Sequence, residues 1–476
     1  MSNFIGLDLG SSAVKAVLMQ HDGKILDVRN QEIAFLHHVD PEVLEIDSHY
    51  YYDTIFQLIK DLGRQVDAVD SISWVTAGGS IVLFDEDQNQ LTPIVSWMDK
   101  RSLRTAAKLD SYGITHTDFY QKVGWPFSPI FPLAKLIWIK EEYPEIFSRI
   151  DRVCMTNDFL GLKLTDSWFI DESTAATLNF YDQEQKTLNE YFVKSIGLSN
   201  GNFPRIVKVG VPYGDISSIG IESTNLQKTT RIIVGSFDHP GAARAVGLHS
   251  RNQLLLSCGT SWVICRILPD RNFGLENGCL IDPYTSSEDG GSWFGMVSVS
   301  KLGMVFNRWA TIVSLVAIGS ESRNRFKDID ILAVNCDPAD VIPVIDILEE
   351  SPSEGYISNL FHDFSANQVA RSLLESVVFC IKRRMIEKCI DLDSYDEVFL
   401  AGGPAESDLW PQIIADVLQK TVKVTYGKYA GAVGAARIAA AGIGVVIETT
   451  GVGKVCLPNA DIQAAVDVRF RAFLKK

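Results

Sequence analysis

The sequence predicts an α/β fold built from two similar halves. Both halves open with the same pattern of a strand, a turn of small residues and a second strand. In the first half the strands are Phe4–Leu9 and Ala13–Met19, and in the second they are Leu254–Ser257 and Trp262–Ile267. A chain of 476 residues is too long for one compact core, so we expect about two or three domains. The repeated opening therefore predicts a duplicated fold.

The other elements of the first half follow in order along the chain. Residues 24–33 are predicted to form a third strand, and Ser48–Leu62 has the apolar spacing of an amphipathic helix. Val69–Thr76 is predicted to be a buried strand that ends in a flexible glycine turn, which lets a ligand approach the backbone. Residues 96–227 are predicted to be mostly helical and rich in loops.

The second half repeats the alternation of strands and helices. Ser365–Lys388 has a serine cap and an apolar stripe, which are typical of a helix with one buried face. The elements predicted after it are a strand at Tyr395–Leu400, a helix at Asp408–Gln419, a strand at Thr421–Tyr426 and a small-residue helix within 430–447. Residues 327–355 form an acidic, proline-containing insertion for which no element is predicted.

Composition and charge exclude several classes of protein. The net charge of −15, with no long run of Lys and Arg, argues against nucleic acid or an anionic membrane as partner. Eight scattered cysteines without a C-x-x-C pair argue against a disulfide framework and structural zinc, and favour a cytoplasmic location. The first residues predict a strand, and we expect no secretory leader. The apolar stretch 430–447 carries Arg437 near its middle, so we expect a helix inside a soluble domain.

One carboxylate, Asp238, lies in a stretch that suggests a ligand site. Arg231–Val234 is β-prone, a Gly-Ser turn follows, and Pro240 is suited to the first position of a helix. This order puts Asp238 at the carboxyl end of a strand, where ligands bind in open α/β sheets. The helix N-terminus would keep the carboxylate ionised and able to accept a proton. The sequence leaves two functions open for Asp238, a catalytic base or a helix cap, and glycine-rich turns before and after it favour the base.

The turn of the first hairpin has the form of a phosphate-binding loop. Consecutive N–H groups at Gly10, Ser11 and Ser12 would form a concavity for phosphate oxygens. The two serines add hydroxyl donors, and Lys15 adds a cation. Asp8 is placed to hold Mg²⁺ through water. The corresponding turn of the second half, residues 258–261, lies after Asp238 in the sequence and also has the form of a phosphate-binding loop.

Two aromatic clusters, at residues 97–101 and 124–139, are candidates for a sugar site. In such sites an aromatic ring covers the apolar face of the sugar, while acidic and basic side chains bond its hydroxyls. Trp97, Asp99 and Arg101 fit these functions. The alternative is that Trp97 and Trp125 are core aromatics, and for each tryptophan taken singly the sequence favours this alternative.

The motifs of the chain, taken in order, resemble the FGGY family of carbohydrate kinases. The matching segments are FIGLDLGSSAVKAVL, SWMDKRS, KLIWIKEEYPEIF, DESTA, VGSFDHPGAARAVG, LLLSCGTSWV, FLAGGPAESDLWPQIIADVL and GAVGAARIAAAG, and they span nearly the whole chain. The resemblance implies two ribonuclease-H-like domains of the actin and hexokinase type around an interdomain cleft. Residues 1–248 would bind the sugar and carry the base, and residues 253–476 would bind ATP. The implied reaction transfers the γ-phosphate of ATP to an alcohol group of a sugar.

The resemblance also implies functions residue by residue. Asp238 matches the general base, and Asp8 matches the carboxylate near Mg²⁺. Contacts to ATP are implied for Gly10, Ser11, Ser12, Lys15, Gly259, Thr260, Gly303, Asn307, Gly402, Gly403 and Ser407. Contacts to the sugar are implied for Trp97, Asp99, Arg101, Gly78, Gly79 and His239.

Two positions depart from the family pattern and bear on the substrate. Xylulokinases carry a Met-His pair and glycerol kinases an Arg-Glu pair where this chain has Gly78-Gly79. We expect these glycines to leave a volume that a bulkier substrate fills, or into which another segment leans, with His239 and Asp99 the nearest candidates. The residue after the base is usually small or an amide in this family, but here it is His239. His239 either bonds a substrate hydroxyl or caps the helix, and the cap is favoured. The segments around SWMDKRS and KVGWPFSPIF resemble fuculokinase members, which points to a ketose or deoxyketose.

Two other functions on the same fold stay open at this point. An actin-like or chaperone-like ATPase is disfavoured by the sugar-side segment with Trp97, Asp99 and Arg101. A non-catalytic sugar sensor is disfavoured because Asp8 and Asp238 are both intact. We expect a small-molecule sugar as partner, neither nucleic acid nor membrane, and leave a homodimer open.

Overall fold

The computed structural model describes residues 2–259, 261–284, 292–299, 302–318, 324–338, 345–346, 356–357, 364–448 and 453–474. Its strands are β1 (Asn3–Leu9), β2 (Ala13–Gln20), β3 (Ile25–Glu32), β4 (Glu45–Ile46), β5 (Ser71–Thr76), β6 (Ile81–Phe84), β7 (Ile94–Val95), β8 (Arg152–Met155), β9 (Phe169–Asp171), β10 (Tyr181–Asp182), β11 (Thr187–Leu188), β12 (Arg205–Val207), β13 (Pro212–Gly214), β14 (Arg231–Ile233), β15 (Ser236–Phe237), β16 (Gln253–Cys258), β17 (Trp262–Leu268), β18 (Leu280–Asp282), β19 (Trp293–Val299), β20 (Ile345–Asp346), β21 (Tyr356–Ile357), β22 (Glu397–Gly402), β23 (Thr421–Val424) and β24 (Lys454–Cys456).

The α-helices are α1 (Ser48–Gly63), α2 (His116–Val123), α3 (Pro132–Glu142), α4 (Pro144–Phe147), α5 (Thr156–Thr165), α6 (Glu172–Ala175), α7 (Glu190–Ser195), α8 (Ser218–Thr224), α9 (Asp238–Val246), α10 (Arg271–Glu276), α11 (Leu302–Ala317), α12 (Arg325–Val334), α13 (Ala366–Glu387), α14 (Trp410–Leu418), α15 (Ala430–Ala441) and α16 (Gln463–Leu474). The strands and helices predicted from the sequence are confirmed, with ends that differ by a few residues. Residues 327–355, for which no element was predicted, begin inside α12.

The chain divides into two compact units. The first contains Met1–Gly247, Leu268–Gly295 and Gly431–Thr450, and the second contains Leu248–Ile267, Met296–Ala430 and Gly451–Lys476. Two segments that follow residue 248 in the sequence therefore belong to the first unit.

The first unit is organised around a mixed sheet with the strand order β13-β14-β5-β1-β2-β3, in which β15 also pairs with β5. β1 runs antiparallel to β2 and parallel to β5. Apolar residues of α1, among them Tyr51, Ile55 and Ile59, are buried in one core with the residues of β1 and β5. Because β1, β5 and β15 are parallel, their carboxyl ends lie at one edge of the sheet.

The second unit repeats this strand order. Its sheet contains, side by side, β19, β17, β16, β22, β23 and β24. β16 runs antiparallel to β17 and parallel to β22, as β1 does to β2 and β5. The duplicated fold predicted from the two similar openings is thus confirmed.

Helix α15 packs at very short distance on strand β1 of the first sheet and on helix α9, because glycines lie at both contacts. A Cβ atom at Gly6 of β1 would lie 2.0 Å from the carbonyl oxygen of Ala432, and one at Gly434 would lie 1.9 Å from the carbonyl oxygen of Gly241. The Ser71 hydroxyl donates to the carbonyl of Ala439 at 2.7 Å. The small residues of this stretch therefore serve helix–sheet packing, as predicted. Among the helices of the described residues, none is both long and apolar enough to cross a membrane.

Candidate active site

Asp238 is the first residue of α9, directly after the short strand β15. The sequence predicts a turn between Val234 and Asp238, but the chain resumes strand pairing at Ser236 and Phe237. Gly235 makes this possible, since a Cβ there would lie 1.5 Å from the carbonyl oxygen of Trp74. Pro240 is accordingly the third helical residue and not the first. The carboxylate lies where predicted, between a strand end and a helix N-terminus.

The surroundings of Asp238 suit a group that accepts a proton. Its side chain is 29% exposed. Burial raises the pKa of the Asp238 carboxyl above its usual range; His239 opposes this rise, and repulsion from Asp8 adds to it. One carboxylate oxygen accepts a hydrogen bond from the His239 amide at 2.7 Å. The N-cap of α9 is Phe237, so the alternative in which Asp238 caps the helix is wrong.

His239 lies against the base and does not cap the helix. Its ring meets the ring of Phe237 edge to face at 5.4 Å, and its Nε2 atom is 3.8 Å from Asp238 Oδ1. The N-cap position of α9 has no side-chain hydrogen bond, so the predicted cap by His239 is wrong. The imidazole is instead part of the electrostatic environment of Asp238.

Asp8 lies near the end of β1, at the same edge of the sheet as Asp238. Asp8 pairs with Val75 of β5, and Val75 pairs on its other side with Ser236 of β15. The Lys15 ammonium is 3.2 Å from Asp8 Oδ2. A Cβ at Gly431 would lie 2.9 Å from the same oxygen, so only glycine lets the α15 backbone come this close. The structure therefore brings the predicted base and the carboxylate predicted to hold Mg²⁺ to one edge of the sheet.

The turn between β1 and β2 matches the predicted phosphate loop in its small residues. A Cβ at Gly10 would lie 2.6 Å from the carbonyl oxygen of Ala13, so the turn requires glycine. The Ser11 hydroxyl accepts a hydrogen bond from Trp97 Nε1 at 2.7 Å, and Ser12 is exposed. Trp97 thus fixes one of the hydroxyls that the sequence assigns to phosphate.

The turn Gly78-Gly79 is buried, and neighbouring side chains occupy the space next to it. A Cβ at Gly78 would lie 2.5 Å from Thr177 side-chain atoms. Gly79 has a φ of +88°, and a Cβ there would lie 3.0 Å from the Phe131 ring and 3.1 Å from Trp97 Cβ. The expectation of an empty volume beside the two glycines is therefore wrong. Another segment does occupy this space, as the alternative expected, but the side chains that fill it are Thr177 and Phe131 and not His239 or Asp99.

Asp99 and Arg101 form a buried ion-pair network with Glu45. Asp99 is 1% exposed, and its carboxylate accepts hydrogen bonds from the Leu44 amide and from Arg101. The Arg101 guanidinium is 2.6 Å from Glu45 and stacks over the Trp138 ring at 4.5 Å. The predicted sugar contacts of these two residues stay a prediction, since the structure shows each of them bonded within the protein.

The two predicted aromatic candidates differ in their burial. Trp125 is 1% exposed, and its Nε1 donates to the carbonyl of Ile281 at 2.8 Å, so the core alternative is confirmed for it. Trp97 is only partly buried and lies beside Ser11 and Gly79. Of the two, Trp97 has the position suited to a ligand.

The second unit carries the glycine turns assigned to ATP. Gly259 is exposed at the end of β16, whereas Thr260 lies outside the described residues. Gly402 has a φ of +100°, and a Cβ there would lie 2.0 Å from the carbonyl oxygen of Cys258, so the two strand ends meet closely. At Gly403 a Cβ would have no neighbour within 4 Å. The backbone of this turn is therefore open to a ligand.

The three remaining ATP candidates lie on separate elements of the second unit. Gly303 is in the first turn of α11, and Asn307 is exposed one turn later. The Ser407 hydroxyl accepts hydrogen bonds from the amides of Leu409 and Trp410, both at 3.1 Å, and so fixes the start of α14. Ser407 therefore has a structural function, and its contact to ATP stays a prediction.

Several side chains that bond to the candidate residues of the first unit were not predicted from the sequence. Glu45 forms an ion pair with Arg101, and Ser173 and Asp282 hydrogen-bond to each other next to Phe237, the residue before the base. Ser173 lies in the DESTA segment, which gave a signal, but Asp282 lies in a stretch without a motif. Such partners are distant in sequence, and no local pattern identifies them.

Solved structures show which fold the two units share. A gluconate kinase from Lactobacillus acidophilus superposes with a TM-score of 0.84 at 19% identity, over 100% of this chain and 97% of that one. A ligand-bound xylulose kinase from the same organism gives 0.84 at 20% identity, over 100% and 97%. The two units thus have the actin-like, ribonuclease-H-like fold found in sugar kinases, as predicted.

The sequence then shows the family. The FGGY family of carbohydrate kinases matches with its N-terminal domain at residues 3–245 and its C-terminal domain at residues 254–443, so the chain belongs to this family. The xylulose kinase of Escherichia coli (strain K12) is 25% identical over 464 residues, which are 92% of this chain and 89% of that protein. The gluconokinase of Bacillus licheniformis is 23% identical over 458 residues, which are 89% and 84%. FGGY carbohydrate kinases are sugar phosphotransferases that use ATP, usually with Mg²⁺.

The donors at the first sheet edge fit such a cofactor. Mg²⁺ prefers oxygen ligands and is typically held by one or two carboxylates together with substrate phosphates. Asp8 offers a carboxylate, and Gly10, Ser11 and Ser12 offer a small-residue turn beside it. The glycine at 431 keeps the space next to Asp8 Oδ2 free of a side chain. These observations agree with a phosphate and metal site.

Proposed function

We propose that this sugar phosphotransferase uses Asp238 as the base that activates the attacking hydroxyl of its substrate. The observation that carries the proposal is the position of Asp238, at a strand end beside Asp8, with a raised pKa. Asp238 accepts the hydroxyl proton while the sugar oxygen forms its bond to the γ-phosphorus of ATP, and the bond from that phosphorus to the leaving ADP breaks. A base whose pKa lies closer to neutrality is better suited to this transfer than an ordinary carboxylate.

The phosphate side of the reaction is assigned to the turn after β1. ATP would supply the phosphoryl group, and bound Mg²⁺ would neutralise part of the charge on its phosphates. Asp8 would hold the metal, while Ser11, Ser12 and Lys15 would orient phosphate oxygens. Little covalent help is needed for this transfer, so positioning and charge account for most of the catalysis.

The two halves divide these tasks in our proposal. Residues 1–248 bind the sugar and carry the base, and residues 253–476 bind ATP. The candidates for ATP contact in the second half are Gly259, Thr260, Gly303, Asn307, Gly402, Gly403 and Ser407. The candidates for sugar contact are Trp97, Asp99, Arg101, Gly78, Gly79 and His239, and among them Trp97 is supported by its place beside Ser11.

We propose a ketose or deoxyketose as the substrate. The xylulose kinase relatives support a ketose, and the gluconokinase relatives make a sugar acid the main competitor. Release of ADP should be measured with xylulose, ribulose, fuculose, gluconate and glycerol. A ketose or deoxyketose is expected to give the highest kcat/KM. Preference for gluconate or glycerol would contradict the proposed substrate class, and ADP release that no sugar stimulates would contradict the kinase assignment.

The partners expected from the sequence also stay proposals where they go beyond the sugar. We expect no nucleic acid to bind, and we keep a homodimer as a prediction. Sedimentation velocity of the purified protein would distinguish a homodimer from a monomer.

Replacement of Asp8 by Ala is expected to raise the Mg²⁺ concentration needed for half-maximal rate. The carboxylate is assigned to the metal, so its loss should affect metal dependence more than sugar binding. The measurement is kcat at a series of Mg²⁺ concentrations with saturating sugar. Asp85→Ala is a matched control, because Asp85 is also buried and ion-paired, at 2.8 Å from Arg149. An Asp8→Ala variant with unchanged Mg²⁺ dependence would exclude Asp8 from the metal site.

A further inference from the structure

A chain of hydrogen bonds ties the residue before the base to a buried carboxylate. The amide of Phe237 donates to the Ser173 hydroxyl at 3.3 Å. That hydroxyl donates in turn to Asp282 Oδ2 at 2.5 Å. Ser173 and Asp282 are both 0% exposed. The backbone just before Asp238 is thus connected to a carboxylate that follows it by 44 positions in the sequence.

The strand that carries Asp282 is itself firmly held. The Ile281 amide donates to the carbonyl of Gly124 at 2.9 Å. The Ile281 carbonyl accepts from Trp125 Nε1 at 2.8 Å and from Gln183 Nε2 at 2.7 Å. The Trp125 ring also meets the Phe237 ring edge to face at 5.5 Å. Asp282 therefore provides a fixed anchor from which Ser173 can hold Phe237.

We propose that Ser173 and Asp282 are positioning residues for the base Asp238. Neither touches substrate in this proposal, which rests on the assignment of Asp238 as the base. They hold the backbone at Phe237, the last residue of β15, and so fix the direction in which the side chain of the next residue, Asp238, points. A misplacement of about 1 Å at a reacting group can cost on the order of 100-fold in rate, so such an anchor has a measurable effect.

The charge of Asp282 decides how Ser173 is bonded. An ionised Asp282 can only accept, so the Ser173 proton points to it and the hydroxyl oxygen is free for the Phe237 amide. A protonated Asp282 can instead donate to that oxygen, which turns the Ser173 proton away from Asp282 and changes the direction in which the oxygen accepts from the Phe237 amide. Burial raises the pKa of Asp282 to about 7, so the change falls in an accessible range. The titratable and charged groups that face Asp282 from neighbouring elements are Arg244 of α9, Asp171 and Glu172 at the β9–α6 junction, and Tyr181 of β10.

The test compares Ser173→Ala with Ser71→Ala in the full-length enzyme. Ser71 is likewise 0% exposed and lies at the start of β5, at the end away from Asp238; its hydroxyl donates to the carbonyl of Ala439 in α15. We expect kcat about tenfold lower for Ser173→Ala with an unchanged KM for ATP, the scale of one lost hydrogen bond. Ser71→Ala should keep its kcat. An unchanged kcat in Ser173→Ala, or an equal loss in both variants, would overturn the proposal.

Asp282→Asn provides a second test, which remains valid even if Ser173→Ala does not fold. In the wild type, kcat is expected to fall about tenfold as the pH drops through 7 and Asp282 becomes protonated, and this step should be absent from Asp282→Asn. Asp158→Asn is the control, since burial raises the pKa of Asp158 to about 7 as well. The wild-type step should persist in Asp158→Asn. The same step in Asp282→Asn would overturn the proposal.

Asp238→Asn, measured in parallel, separates the two assignments. If it keeps the wild-type rate, Asp238 is not the base and the positioning function falls with it. If it loses the rate while Ser173→Ala and Asp282→Asn behave as wild type, only the positioning function is overturned.

Discussion

Asp238→Asn is expected to lower kcat by about 10²–10⁴-fold, the usual loss when a general base is removed. The amide has the shape of the carboxylate but cannot accept the hydroxyl proton. Asn can still accept the hydrogen bond from the His239 amide, which Asp238 accepts at 2.7 Å, so the fold should be kept. The measurement is ADP release at saturating ATP and sugar, with KM for ATP determined alongside.

The control for this variant is another carboxylate at a helix N-terminus. Asp47 is the N-cap of α1, where it accepts a hydrogen bond from the Tyr50 amide at 2.8 Å. Asn caps helices about as well as Asp does, so Asp47→Asn should leave both stability and kcat unchanged. If Asp238→Asn also left both stability and kcat unchanged, the Asp238 carboxylate would have no part in proton transfer.

The double substitution Gly78→Met and Gly79→His is expected to lower the free energy of unfolding, and not to act mainly on the choice of substrate. At Gly78 the new side chain would overlap Thr177, and such overpacking typically costs about 1–3 kcal/mol. At Gly79 the backbone has a φ of +88°, and a non-glycine residue in such a strained conformation costs about 1–3 kcal/mol more. The free energy of unfolding, measured with urea, should fall by the sum of these costs.

The single variants and a neutral glycine complete this test. Gly201→Ala should cost less than about 0.5 kcal/mol, because a Cβ there would have only Ser199 Oγ nearby, at 3.6 Å. Gly78→Ala should already be destabilising, since Thr177 leaves no space even for one methyl group. A double variant of wild-type stability with reduced kcat/KM would instead mean that the turn faces an open sugar pocket.

The elements that follow local rules could be predicted from the sequence. The hairpin of β1 and β2 was predicted from alternating residues and a turn of small residues, and α13 from a serine cap and an apolar stripe. The position of Asp238 followed from the strand signal before it and the helix signal after it. These signals all lie within about twenty residues of the element they define.

Contacts between distant segments could not be predicted. Asp99 is bonded by the amide of Leu44, 55 positions away, and no pattern near either residue reports this pair. The Gly78-Gly79 turn was expected to border empty space because the sequence does not show that Thr177 lies against it. Ser173 and Asp282 are 109 positions apart. A short motif identifies a ligand-binding turn, but burial and long-range partners decide which of its side chains are available.

During translation the first unit stays incomplete until almost the whole chain has left the ribosome, because residues 431–450 belong to it. A nascent chain that has reached residue 248 has made Val75 and Ile233 but lacks Ala435 and Ile438 of α15, with which they form one apolar cluster. This face of the sheet is uncovered in the meantime and prone to aggregation. Splitting the gene between its two halves would separate the sheet from its own covering helix, so both fragments should be co-expressed.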